Sequence, residues 1–186
     1  MRFQQLFYRI DQLLKQKEHF VVAIDGMSAA GKSSLADLLK ETYSCNVISM
    51  DSFFLRPAQR TPERLAEPGG NIDYERFFEE VAQPLKSGKP FVYRPYDCKT
   101  TELTDSVDVC LKPLSVVEGV YSMHPNHADL YNLSVFLSID EDSQCNRLRE
   151  RNPGLLERFI SEWIPMENMY FEHFRIPEKC DFVYEQ

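Results

Sequence analysis

A chain of 186 residues is long enough for one domain with a substantial core. Its formal net charge of −8, from 21 Lys and Arg against 29 Asp and Glu, argues against a nucleic-acid groove but leaves room for a small basic pocket. Five scattered cysteines, odd in number and without a C-x-x-C pair, argue against a disulfide framework or a zinc site and fit free thiols in a reducing cytosol.

The first predicted element is a helix near 2–17. Phe3, Leu6, Phe7, Ile10, Leu13 and Leu14 share one of its faces. Gln4, Gln5, Asp11 and Gln12 break any continuous apolar run, so the segment does not read as a signal peptide. A helix packed on the domain is favoured over one lying on a membrane surface. No later stretch reaches transmembrane length, and no membrane partner is expected.

Phe20 to Ile24 is an uninterrupted apolar run, as a parallel strand buried on both faces requires. One residue beyond it, Gly26-Met27-Ser28-Ala29-Ala30-Gly31-Lys32-Ser33 spells G-x-x-x-x-G-K-S. In that pattern glycines let the backbone wrap closely around phosphate oxygens, and inward amides with the following helix start attract the anion. Lys32 supplies a point charge for the β- and γ-phosphates, and the Ser33 hydroxyl suits Mg²⁺. The residues from Gly26 to Ser34 (Gly26, Ser28, Ala29, Ala30, Gly31, Lys32, Ser33 and Ser34 among them) are thus the candidate cradle for ATP. Leu35, Leu38 and Leu39 at helical spacing predict a helix over 32–43, completing the strand–loop–helix order.

Further strands are predicted near 45–49, 114–118, 133–139 and 181–184, and further helices near 73–86, 141–151 and 155–174. Pro165 should kink or divide the last helix. The alternation gives an α/β fold, a three-layer α/β/α P-loop NTPase arrangement around a mostly parallel five-stranded sheet, as a single domain over 1–186. Three prolines and Gly69-Gly70 rule out a regular element over most of Arg56–Asn71. A second irregular stretch, Lys89–Asp105, has room for a short hairpin.

Open α/β sheets bind ligands beyond the carboxyl ends of their strands. Asp51 follows the second strand and Glu118 closes the third. Either acid alone reads equally well as a helix cap or a solvated strand end. Both together, beside a phosphate loop, fit phosphoryl transfer: one holds Mg²⁺ and the other receives the proton of an acceptor hydroxyl. Arg147 and Arg151, four apart, share a helical face and could close over the transferred phosphate; on spacing alone a solvated charged helix fits better. His124 and His127 lack a third metal ligand nearby, and Trp163, Tyr170 and Phe174 read mainly as core.

These residues together resemble the uridine kinase-like family of P-loop kinases, which also includes phosphoribulokinases and pantothenate kinases. The likeness rests on the G-x-x-x-x-G-K-S loop, Asp51-Ser52-Phe53-Phe54, Tyr96-Asp97, Glu118-Gly119 and an arginine-bearing lid at about 141–158. It implies an ATP-dependent kinase, a phosphotransferase with an alcohol group as acceptor, in the first place the 5′-hydroxyl of a nucleoside such as uridine. It assigns Asp51 as general base, Glu118 with Ser33 to Mg²⁺, Asp73 to ribose hydroxyls, Tyr96 to the nucleobase pocket, and Arg147 and Arg151 to the lid. The chain departs from the pattern at Thr101, where uridine kinases carry a base-contacting histidine, and at Glu102-Leu103, where they carry a serine–arginine pair. Arg56, Arg60 and Arg64 read equally as acceptor contacts or as solvated loop residues.

Three readings stay open at this level. They are a nucleoside kinase, a kinase for another small alcohol such as a pantothenate- or sugar-type acceptor, and an ATP-binding module without catalysis. No N-K-x-D guanine signature supports a GTPase switch. A homo-oligomer is compatible with the sequence, which does not fix the assembly.

Overall fold

The computed structural model describes residues 2–186. In chain order its elements are α1 (Gln4–Gln16), β1 (Phe20–Gly26), α2 (Lys32–Tyr43), β2 (Asn46–Ser49), α3 (Pro62–Leu65), α4 (Tyr74–Phe77) and α5 (Gln83–Lys86). There follow β3 (Phe91–Tyr93), β4 (Tyr96–Asp97), β5 (Glu102–Leu103), β6 (Val107–Val109), β7 (Leu114–Glu118) and β8 (Leu133–Ser138). The chain closes with α6 (Glu141–Arg151), α7 (Leu156–Arg158), α8 (Ile164–Phe174), α9 (Ile176–Lys179) and β9 (Phe182–Glu185).

Five strands form one sheet in the order β2-β7-β1-β8-β9, every pair parallel. The most apolar strand, β1, takes the centre, with every residue buried, while the edge strand β9 alternates half-buried and exposed positions. The side chains of β1 divide by twos. Phe20, Val22 and Ile24 face Leu6, Ile10 and Leu13 of α1 and Leu35 and Leu39 of α2. Val21 and Ala23 face a second core holding Phe53, Phe77, Val81, Tyr170 and Phe171. Apolar residues on both faces of a period-two strand require a helical layer on each side, which is the three-layer α/β/α arrangement. The N-terminal helix therefore packs on the domain.

Two prolines shape the helices of the second layer. Pro84 and Pro165 each follow a π-helical turn, Phe78–Ala82 and Phe159–Trp163 respectively. A helical proline gives no N–H and its ring crowds the carbonyl four residues back, here Glu80 and Ser161. The wider turn accommodates both, with Gln83 N–H donating to Phe78 O and Ile164 N–H to Phe159 O. The span 156–174 is accordingly divided at a π-helical turn, as its proline predicts, and the span 74–86 is divided in the same way.

The stretch Arg56–Asn71 contains only a 3₁₀ turn at Pro57–Gln59 and the one-turn α3, capped by Thr61 Oγ1 accepting from Arg64 N–H. Arg64 holds this loop together: it donates to the carbonyls of Gly70 and Ile72, pairs with Glu75 and stacks on Tyr74 at 3.8 Å. In Lys89–Asp105, β4 and β5 form the hairpin, with Tyr96 opposite Leu103, and β3 pairs with β6 around it. His124 and His127 are buried, stacked against Tyr74 and packed on Phe77, and desolvation lowers their pKa values to about 4 and about 3. They are neutral core residues. No helix of the described residues is long and apolar enough to cross a membrane.

Candidate active site

The carboxyl end of β1 leads straight into the phosphate loop. Gly26 has φ +139°, and a Cβ there would lie 2.1 Å from Leu137 O of β8. Only glycine lets the chain leave the sheet at this point. Ala29 (φ 61°) and Gly31 (φ 89°) then adopt left-handed conformations, which curl successive amides into a concave nest. The ladder of α2 begins with Leu35 N–H donating to Gly31 O, so the amides of Lys32, Ser33 and Ser34 precede it and are free to meet an anion. The ammonium of Lys32 is held across the loop by the carbonyls of Gly26 and Met27, both at 2.8 Å.

Two acids arrive beside this nest from neighbouring strands. In the β2–β7 pair Ser49 lies opposite Glu118, so the residues after each strand emerge side by side. Gly119 lets them approach: it has φ +133°, and a Cβ there would stand 2.9 Å from Met50 Cβ. The turn Met50–Phe53 thus carries Asp51 to the Glu118 carboxylate, which accepts from Ser33 Oγ at 3.1 Å. Desolvation raises the pKa of Asp51, with Lys32 and Arg151 pulling it back. Desolvation also raises Glu118; the nearby Asp51 charge adds to the rise, while Ser49, Lys32 and Ser33 oppose it.

Helix α6 supplies cations from above. Arg147 donates to Ala29 O at 3.1 Å, while Arg149 turns to Asn146. Lys32, Ser33, Asp51, Glu118, Arg147 and Arg151 line one cavity of about 260 Å³ together with Ser28, Ala29, Gly31 and Ser34. A second cavity of about 470 Å³ adjoins it, walled by Phe54, Tyr96, Tyr121, Phe159 and Trp163 with polar residues between them. Ser28, Asp51, Val120 and Arg151 line both, so the two form one cleft with Asp51 at the junction.

No protein-family model and no curated protein matches this sequence. Solved structures do match in three dimensions. One from Silicibacter sp. TM1040, described as a fructose transport system kinase, superposes with a TM-score of 0.75 at 21% identity, covering 99% of each chain. One described as a possible uridine kinase from Bacillus stearothermophilus gives 0.70 at 22% identity over 97% of this chain and 99% of that one. Phosphoribulokinase from Rhodobacter spheroides gives 0.61 at 15% identity over 90% and 70%. The chain shares the three-layer α/β/α P-loop fold of these structures.

Within this P-loop fold the cleft gathers most of the residues singled out in the sequence. Gly26 and Ala30 lie beneath the phosphate cavity rather than in its wall; Gly26 offers its carbonyl to Lys32 and Ala30 is fully buried. Tyr96 joins Asp51 and Arg151 in the second cavity. Asp73 lines neither cavity. It caps α4 by accepting from Arg76 N–H at 3.1 Å, accepts from Gln59 Nε2 at 2.8 Å, and faces the guanidiniums of Arg76 and Arg56. These partners make it a brace between the long loop and α4.

Three polar residues packed around the phosphate loop escape the sequence reading. Glu167 of α8 is 5% exposed, accepts from Ser28 N–H at 3.0 Å and from Ser28 Oγ, and lines the second cavity. Gln144 of α6 donates to Ser28 O at 2.9 Å. Asp25, fully buried beneath the loop, accepts from Gly26 N–H, Met123 N–H and Tyr170 Oη at 2.7, 2.9 and 2.8 Å. Its desolvation, against those three bonds and Lys32, raises its pKa to about 6. A signal is available for Asp25, an acid directly after the apolar run Phe20–Ile24; Glu167 shares its helix with Asn168, Glu172 and His173 and does not stand out.

Proposed function

We propose that this protein is an ATP-dependent small-molecule kinase that transfers the γ-phosphoryl group to an alcohol. The observation that carries the reading is the position of Asp51, a carboxylate shared by the wall of the anion nest and the wall of the larger cavity. An acid there can meet an acceptor hydroxyl on one side and a phosphoryl group on the other.

The residues divide the work. The amides at the start of α2 and the Lys32 ammonium bind and orient a triphosphate tail. Ser33 and Glu118 present hard oxygen donors suited to Mg²⁺, beside the Asp51 carboxylate in the same cavity. A divalent ion held by these residues would supply charge neutralisation for the phosphate oxygens. Asp51 accepts the proton of the acceptor hydroxyl as its oxygen bonds to the γ-phosphorus and the bond to the β-phosphate bridging oxygen breaks. Its raised pKa makes it a stronger base than a carboxylate at its ordinary value. Arg147 and Arg151, on the lid, face the charge that spreads over the phosphoryl oxygens.

For the acceptor, the resemblance names a nucleoside. Tyr96 in the cavity wall supports that class, and Thr101, in place of the base-contacting histidine, weighs against it. ADP release measured with Mg·ATP and a panel of nucleosides, sugars, sugar phosphates and hydroxy acids tests the reading. Acceptor-dependent ADP release with one-to-one formation of a phosphate monoester supports it. Tight ATP binding without release in any acceptor's presence supports a silent ATP-binding module instead.

A further inference from the structure

The larger cavity holds more positive charge than a neutral acceptor needs. Arg60, Lys99, Arg151 and Arg158 all line it, in a chain whose net charge is −8. Arg158 already pairs with Glu162 at 3.0 Å and lies 4.8 Å over the Trp163 ring. Arg151 also borders the phosphate cavity and has an assigned task there. Arg60 and Lys99 border only the acceptor side.

Neither has a partner of opposite charge. Among the described residues no carboxylate oxygen lies within 4.0 Å of the Arg60 guanidinium or the Lys99 ammonium. Arg60 is anchored by its Nε donating to Leu55 O at 3.0 Å, which fixes the guanidinium without using its two terminal nitrogens. Lys99 stands in the four-residue loop between β4 and β5, whose backbone is pinned by Lys99 N–H on Asp97 Oδ1 and Thr101 N–H on Asp97 O, both at 2.8 Å. The two acids of the cavity cannot serve them: Glu167 is bound to Ser28, and Asp51 faces Lys32 and Arg151. Two unpaired cations on separate loops lining one cavity match an anion more closely than they match an uncharged base or sugar.

We infer that the acceptor is an alcohol carrying a phosphate or carboxylate group, and that Arg60 and Lys99 bind that group on the side of the cleft away from the ATP phosphates. This rests on the kinase reading above, with Asp51 meeting the hydroxyl. The aromatic walls, Phe54, Tyr96 and Trp163 among them, then cover the carbon skeleton between the two polar ends. A sugar phosphate and a hydroxy acid share this chemistry.

Isothermal titration calorimetry on protein loaded with Mg·ADP tests the assignment. The titrants are matched pairs differing only in the anion: sugars against their monophosphates, polyols against the corresponding hydroxy acids, with nucleosides as neutral controls. The anionic member is expected to bind at least about tenfold tighter, as one to two charge-assisted hydrogen bonds allow. Arg60→Ala and Lys99→Ala should each weaken it by about tenfold, with Mg·ADP affinity unchanged. The series that binds, phosphates or carboxylates, identifies the group. Equal binding of neutral and anionic members, no binding by any titrant, or wild-type affinity in the Arg60→Ala/Lys99→Ala double variant overturns the inference. Phosphorylation of neutral alcohols alone would overturn it while leaving the kinase reading intact. Anion binding without phosphoryl transfer to any bound acceptor would instead remove the kinase reading.

Discussion

Glu118 Oε2 accepts a hydrogen bond from the Ser33 hydroxyl at 3.1 Å, tying the first turn of the phosphate-loop helix to the end of a neighbouring strand. The pair is what a hard divalent ion would find on entering the cleft. Glu118→Gln removes the charge and keeps the shape. It is expected to raise the Mg²⁺ concentration for half-maximal ADP release by about tenfold or more, with little change in stability. A Mg²⁺ titration of the initial rate checks this, and an unchanged midpoint removes Glu118 from the metal site.

The Glu118 carboxylate meets Asp51 because Gly119 allows Met50 to come close. Gly119→Ala demands both a strained φ and a displaced Met50, a cost of about 1–3 kcal/mol in urea denaturation. Because the displaced segment carries Asp51, kcat/KM should fall by a larger factor than in a variant equally destabilised elsewhere, such as Leu6→Ala in the opposite core. Equal activity in the two would show that this contact does not set the position of Asp51.

Asp25 makes a pH prediction with a definite sign. Its carboxyl is raised from 3.8 to about 6 by burial, so the folded state holds its proton more tightly than the unfolded state does. The contribution of a protonated Asp25 is fully present at low pH and is lost as pH rises from about 4 to about 6, worth about 3 kcal/mol across that window. The buried His124 and His127, lowered to about 4 and about 3, act in the opposite sense: their stabilisation is lost as pH falls below about 6.5. The difference in unfolding free energy between wild type and Asp25→Asn isolates the acid. Relative to the variant, wild type should lose stability between pH 4 and 6; a flat difference contradicts the burial argument.

Glu167 and Ser28 join α8 to the outer arc of the phosphate loop. Glu167→Ala leaves the Ser28 amide and hydroxyl without their acceptor in a buried site, which costs about 1–3 kcal/mol. The loop should also loosen, raising KM for ATP more than in Ser28→Ala, where the backbone bond survives. Chemical denaturation and ATP titrations on both variants measure the two effects. Identical KM values in the two would assign Glu167 to stability alone.

Much of this architecture is legible in the residues. Phe20–Ile24 has no polar interruption and Leu114–Val117 has only the small Ser115, the pattern of strands covered on both sides. Gly26, Gly31 and Gly119 mark the places where the backbone turns left-handed beside the cleft. What escapes is long-range. Asp73 sits at a position that the resemblance links to ribose, yet Gln59, Arg56 and Arg76 come to it from a loop and a helix whose packing no local pattern reveals. Glu167 lies 139 positions from Ser28, and nothing in its own segment names that partner. Pro165 announces a disturbed helix, but whether it breaks or widens depends on the packing of Tyr170 and Phe171 beyond it.

The central claim is that Asp51 takes the proton of an alcohol across the junction of the two cavities. Asp51→Asn preserves size and hydrogen-bonding shape while removing the base. With a saturating acceptor and Mg·ATP, its single-turnover rate should fall by about 10²- to 10⁴-fold while ATP affinity stays at the wild-type value. A variant that transfers phosphate at the wild-type rate would contradict the account.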